Sequence, residues 1–119
     1  MITRKEDIPE RELEAPELEG QPLLMRTYIT RDKHSENISI TWVKLSGKHS
    51  KMVNELSDRV YYIIDGKATF MVGDKEPGRV TKGDFVFIPK GTPYSFEGSI
   101  TFLVMNGPAF VSGSDKIVE

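Results

Sequence analysis

From Gln21 onward the chain breaks into short extended runs punctuated by glycine and proline, and no stretch holds a helical period long enough to bury one face. Ile38–Leu45, ISITWVKL, sets the pattern: Ile38, Ile40 and Trp42 fall on one face, Ser39 and Thr41 on the other. A period of two marks a strand with two different environments. Leu23–Thr30, Lys51–Glu55, Arg59–Asp65, Lys67–Val72, Arg79–Thr81, Asp84–Ile88, Tyr94–Phe96 and Ile100–Asn106 extend the series. Asp65-Gly66 predicts a two-residue hairpin between two of these runs, because Gly tolerates the positive φ that such turns need. Many short strands joined by Gly/Pro turns predict an all-β barrel or sandwich.

The 119 residues suffice for one domain with one core. We divide the chain into an N-terminal arm (1–21), a barrel (22–111) and a frayed tail (112–119). Pro9 and Pro16 break any long helix in the arm. The arm holds seven acids and three bases, which leaves +2 on the rest of a chain of net charge −2. It reads as a solvated lead-in, with a partner contact as the alternative. No basic stripe is present, so a nucleic-acid partner is not expected. With no cysteine there is no disulfide, thiolate metal site or thiol nucleophile. No signal-peptide or membrane-spanning run is seen, and a cytoplasmic location is expected.

Two segments carry further information: Gly47–Gly66, GKHSKMVNELSDRVYYIIDG, and Gly83–Phe96, GDFVFIPKGTPYSF. The second resembles the second motif of the cupin superfamily, with Gly83, Pro89 and Gly91 at the family spacings and Tyr94 where the family has His. Gly47 and Gly66 resemble the two ends of the first motif. The segment around both also resembles the cupin domain of the ethanolamine-utilisation Q-type protein. The resemblance implies a double-stranded β-helix, or jelly roll. It also implies that the four family metal-ligand positions fall on Val53, Glu55, Arg59 and Tyr94. Valine cannot ligate and a guanidinium repels cations, so no metal and no cofactor are expected. His34 and His49 are expected in exposed loops.

Carried onto strand parity, the resemblance implies an interior cluster of Glu55, Arg59, Tyr61 and Tyr94. Its floor would be Val53, Ile63, Val86 and Phe96, with Trp42 as a wall. Glu55 is the expected partner of Arg59. A guanidinium with tyrosine hydroxyls suits a small anion. The leading expectation is therefore a metal-free binding site for a small acidic metabolite in the barrel mouth. The alternatives are a metal-free lyase, isomerase or epimerase using Glu55 with Tyr94 or Tyr61, and a purely structural oligomeric protein. No residue is assigned a catalytic role. Val60–Ile64 and Phe85–Ile88 are apolar on both faces. Such strands need a second covering layer, so a homodimer is expected.

Overall fold

A computed structural model describes residues 1–13, the backbone of 18–19, and residues 22–118. After a short 3-10 turn at Lys5–Asp7, nine strands follow among the described residues. They are β1 (Arg11–Leu13), β2 (Leu18–Glu19), β3 (Leu23–Ile29), β4 (Ser39–Asn54), β5 (Asp58–Val72), β6 (Gly78–Thr81), β7 (Phe85–Ile88), β8 (Tyr94–Gly107) and β9 (Asp115–Ile117). All pairings are antiparallel, in the order β1-β3-β4-β8-β5-β6, with β2 and β9 on the outer edge of β4 and β7 on β5.

Three long strands, β4, β5 and β8, pair along most of their length and form the backbone of the barrel's single sheet. They bend together where Gly47 pairs with Gly98 and Gly66 pairs with Ile100. Gly66 has φ +83°, and a Cβ there would collide with the Ser99 carbonyl. Only glycine permits that backbone and that approach. The Asp65-Gly66 pair is thus not a hairpin. Asp65 and Gly66 both stay paired to β8, and a register shift after Ile63 bends the strand without reversing it. For the same reason the expected breaks at 46–50 and 97–99 lie inside continuous strands.

Inward side chains stack in layers. Met25, Val43, Phe102 and Ile63 align across β3-β4-β8-β5, and Thr27, Thr41, Val104 and Tyr61 form the next layer. In the opposing half, Phe70, Phe96 and His49 are in register. Ile63, Phe70, Phe96, Ile100 and Phe102 are buried in one core cluster. Phe96 stacks on Phe70 at 4.6 Å and meets Tyr61 edge-on at 5.6 Å.

Three expectations change here. The polar face of β4 (Ser39, Thr41) points into the barrel, and the Ile40/Trp42 face points out. Trp42 therefore forms no wall of the interior; it packs outside, with the Arg26 guanidinium 5.6 Å from its ring. A barrel that encloses a cavity can keep polar side chains inside, so hydrophobicity alone misassigns the face. The N-terminal arm is no free lead-in. Its β1 pairs with β3, and Arg26 holds it by hydrogen bonds to the Ile8 carbonyl and Glu10. The tail is not frayed either: β9 pairs with β4, and the Val118 amide donates to the Lys51 carbonyl.

Candidate functional site

Arg59 enters β5 facing inward and is 4% exposed. A buried guanidinium must find acceptors for its fixed fork of donors. Nε donates to Asn106 Oδ1 at 2.8 Å, Nη1 to the Tyr94 hydroxyl at 2.7 Å, and Nη2 to Asp115 Oδ1 at 2.8 Å. Met52 Sδ lies 3.8 Å from Nη1. The Tyr94 hydroxyl is in turn 2.7 Å from that of Tyr61.

Asp115 replaces Glu55 as the partner of Arg59. Counting from Gly47 turns Val53 and Glu55 inward, but β4 carries a register shift between His49 and Met52. That irregularity reverses the parity of the strand's end. Met52 and Asn54 are buried, while Glu55 is exposed and Val53 pairs with Lys116 of β9. Glu55 and Val53 thus take no part in the cluster. Asn54, absent from the expected set, braces it. Its Nδ2 donates to Ser114 Oγ and to Asp115 Oδ1, and its Oδ1 accepts from the Leu56 and Ser57 amides. Only Oδ1 of Asp115 is used in this way; among the described residues Oδ2 has no hydrogen-bond partner.

The cluster faces a cavity of about 1010 Å³. Arg59, Tyr61, Tyr94 and Phe96 line it, as do His49, Met52, Asn106 and Asp115. Ile63 lies beneath in the core, and Val86 packs against the core from β7 without reaching the cavity. Arg11, Arg31, Thr30 and Asp32 contribute to the same cavity. His49, expected in an exposed loop, is half-buried in the cavity wall with its ring 4.7 Å from that of Phe96. Its Nδ1 lies 2.8 Å from the Ser50 carbonyl, so Nδ1 carries the proton in the neutral ring. His34 latches the loop after β3, where its Nδ1 accepts from the Thr30 amide.

Burial, the largest influence, disfavours charge on Arg59, but Tyr61, Tyr94 and Asp115 outweigh it and hold the guanidinium above its ordinary value. Burial raises Tyr61 well above the usual phenol range, and Tyr94 adds to the effect. Burial raises Tyr94 too, against the opposing pull of Arg59. Both phenols therefore keep their protons at neutral pH. One of those protons makes the Tyr61–Tyr94 hydrogen bond. The other has no acceptor among the described residues and is available to a molecule in the cavity. Among these residues no group of three or more His, Cys, Asp or Glu could hold a metal ion.

An antiparallel β-barrel with a buried polar cluster beside a cavity has the architecture of a jelly roll. A profile of the EutQ-like cupin domain matches residues 35–105, more than half of the chain, and the protein belongs to that cupin family. No curated protein sequence matches it. Among solved structures, the Streptomyces nucleoside dehydratase Pac13 superposes with a TM-score of 0.79 at 17% identity, covering 100% of this chain and 91% of that one. Related Pac13 structures hold uridine and carry Tyr→Phe or His→Gln substitutions. A predicted oxalate decarboxylase from Thermotoga maritima matches with a TM-score of 0.75 at 20% identity, over 91% of this chain and 99% of that one. The polyketide cyclase RemF from Streptomyces resistomycificus matches with a TM-score of 0.72 at 20% identity, over 96% and 89%. At these identities the likeness is one of fold.

Proposed function

We propose that the cavity binds a hydroxyl-bearing small molecule of about nucleoside size. On it the protein performs proton-transfer chemistry of the lyase class without a metal. The observation that carries this reading is the chain Asp115–Arg59–Tyr94–Tyr61. It sets an uncommitted carboxylate oxygen and an uncommitted phenol proton beside one cavity. A free Arg59 fork would have favoured simple anion capture. Instead Arg59 is engaged by three partners and its charge is balanced by Asp115. Its role becomes positioning, and it stabilises negative charge developing on Tyr94 and, through it, on Tyr61.

The step that fits is loss of water. Asp115 Oδ2 accepts a proton from carbon, and the C–H electron pair becomes the new C=C bond. The C–O pair leaves with its oxygen, which takes the phenol proton and departs as water. The released water and solvent then return the proton from Asp115 to the phenol, so the net change is loss of H2O. Pac13, itself a nucleoside dehydratase, lends this reading its size class; the cavity here is lined by two tyrosines and a histidine.

The test is a panel of nucleosides, oxidised nucleosides and sugar acids, followed by mass spectrometry in D2O. A bound compound should lose the mass of one water or exchange carbon-bound hydrogen. Tyr61→Phe should lower the rate by about 10²–10⁴ while leaving binding largely intact. A compound that binds in the cavity yet neither loses water nor exchanges hydrogen would reduce the site to a binding module.

A further inference from the structure

We infer that Arg11 and Arg31 form an anion subsite at the cavity rim, so that the cavity's ligand is two-ended: hydroxylated inside, with a phosphate or carboxylate at the mouth. This deepens the reading above and rests on its hydroxyl-bearing end.

The charge count of the lining carries the argument. Arg11, Arg31 and Arg59 face the cavity with Asp32 and Asp115. Arg59 and Asp115 cancel each other in their ion pair. Among the described residues neither Arg11 nor Arg31 makes an ion pair, which leaves two guanidiniums against the single carboxylate of Asp32. Arg11 is held in place without being neutralised: its Nη2 donates to Thr27 Oγ1 at 3.1 Å. Arg31 is likewise anchored without a counterion among the described residues, its Nη2 donating to the Ala109 carbonyl at 2.9 Å. A guanidinium without a counterion beside a cavity suits an anionic oxygen.

Topology sets the distance between the two ends. Thr27, which anchors Arg11, lies in register with Tyr61 across β3-β4-β8-β5. Three strand spacings amount to roughly 14 Å along the curved sheet, and less straight across it. A sugar or nucleoside with a terminal phosphate spans such a gap; a small dicarboxylate held at Arg59 would leave most of the cavity empty.

Inorganic phosphate tests the rim without knowledge of the whole ligand. In an NMR titration of the full chain, phosphate should saturably shift the amides of Arg11, Thr27, Arg31 and Phe110. Arg11→Met, on an exposed residue, should weaken that response about tenfold, as should Arg31→Met. Absence of a saturable rim response, or the same response in both variants, overturns the subsite. A second arm compares uridine with uridine 5′-monophosphate. The monophosphate should bind about tenfold tighter to the wild type and equally to the double variant. Uridine binding without preference for its monophosphate refutes the rim subsite and spares the proposed function. Phosphate held at the rim while neither nucleoside binds supports the subsite and refutes the nucleoside-size reading.

Discussion

Asp115 reaches back across 56 positions of sequence to place its Oδ1 2.8 Å from Arg59 Nη2, and so strand β9 supplies the counterion for a charge buried inside the barrel. This contact ties the C-terminal segment to the site both energetically and chemically.

Removal of that counterion should be costly. Asp115→Ala leaves Arg59 with a buried, unpaired charge, a loss of about 3–5 kcal/mol for a fully buried pair. Asp115 is partly exposed, so about 2–3 kcal/mol is expected after solvent screening. Glu55→Gln should stay within about 0.5 kcal/mol of wild type. Urea denaturation of the two variants compares them directly, and equal effects would contradict the assignment of Asp115.

Alkaline pH should destabilise the fold through the tyrosines. Burial raises Tyr61 and Tyr94 above the ordinary phenol value. The unfolded chain therefore releases these protons first, near pH 10. Their contribution is fully present below that pH and is lost as pH rises through it toward the folded-state values. Thermal melts from pH 8 to 11.5 should show a falling Tm, and Tyr61→Phe should flatten the fall. An identical slope in the variant would count against this account.

Metals should leave the protein unmoved. No described group of three or more His, Cys, Asp or Glu converges, and Arg59 stands in the cluster as a fixed cation. Addition of zinc, manganese or ferrous iron is expected to change Tm by less than about 1 °C, against the several-degree rise that tight one-site binding gives. Protein purified without chelator should carry no stoichiometric transition metal by elemental analysis.

The outer face of the barrel should bind a second copy. Two outward rows cross four strands in register, Trp42-Leu103-Tyr62-Phe85 and Ile40-Met105-Val60-Phe87. Phe85 and Phe87, on edge strand β7, are 65% and 57% exposed. Apolar area of this kind favours association. Light scattering at micromolar concentration should report a dimer, and Phe87→Asp should yield the monomer. A wild-type monomer of 13.5 kDa would refute it.

The local rules of the chain determined a good deal. Period-two alternation and Gly/Pro punctuation were enough for an all-β barrel, and the Gly83–Gly91 spacing was enough for the cupin resemblance. The parity of Arg59, Tyr61, Tyr94 and Phe96 followed from the same motifs, because side-chain direction on an unbroken strand is a counting matter. Counting fails wherever a strand gains a residue. The register shift between His49 and Met52 turned Glu55 outward and brought Met52 and Asn54 in, and nothing in KHSKMVNE announces it. Asp65-Gly66 carries the residues of a hairpin, yet pairing with β8 on one side keeps β5 continuous. Asp115 was the furthest from reach. It sits in a short polar tail, and its only clue was that a buried Arg59 requires an acid from somewhere. Which acid answers is decided by β9 closing on the edge of β4, a long-range pairing that exists only once the barrel is formed.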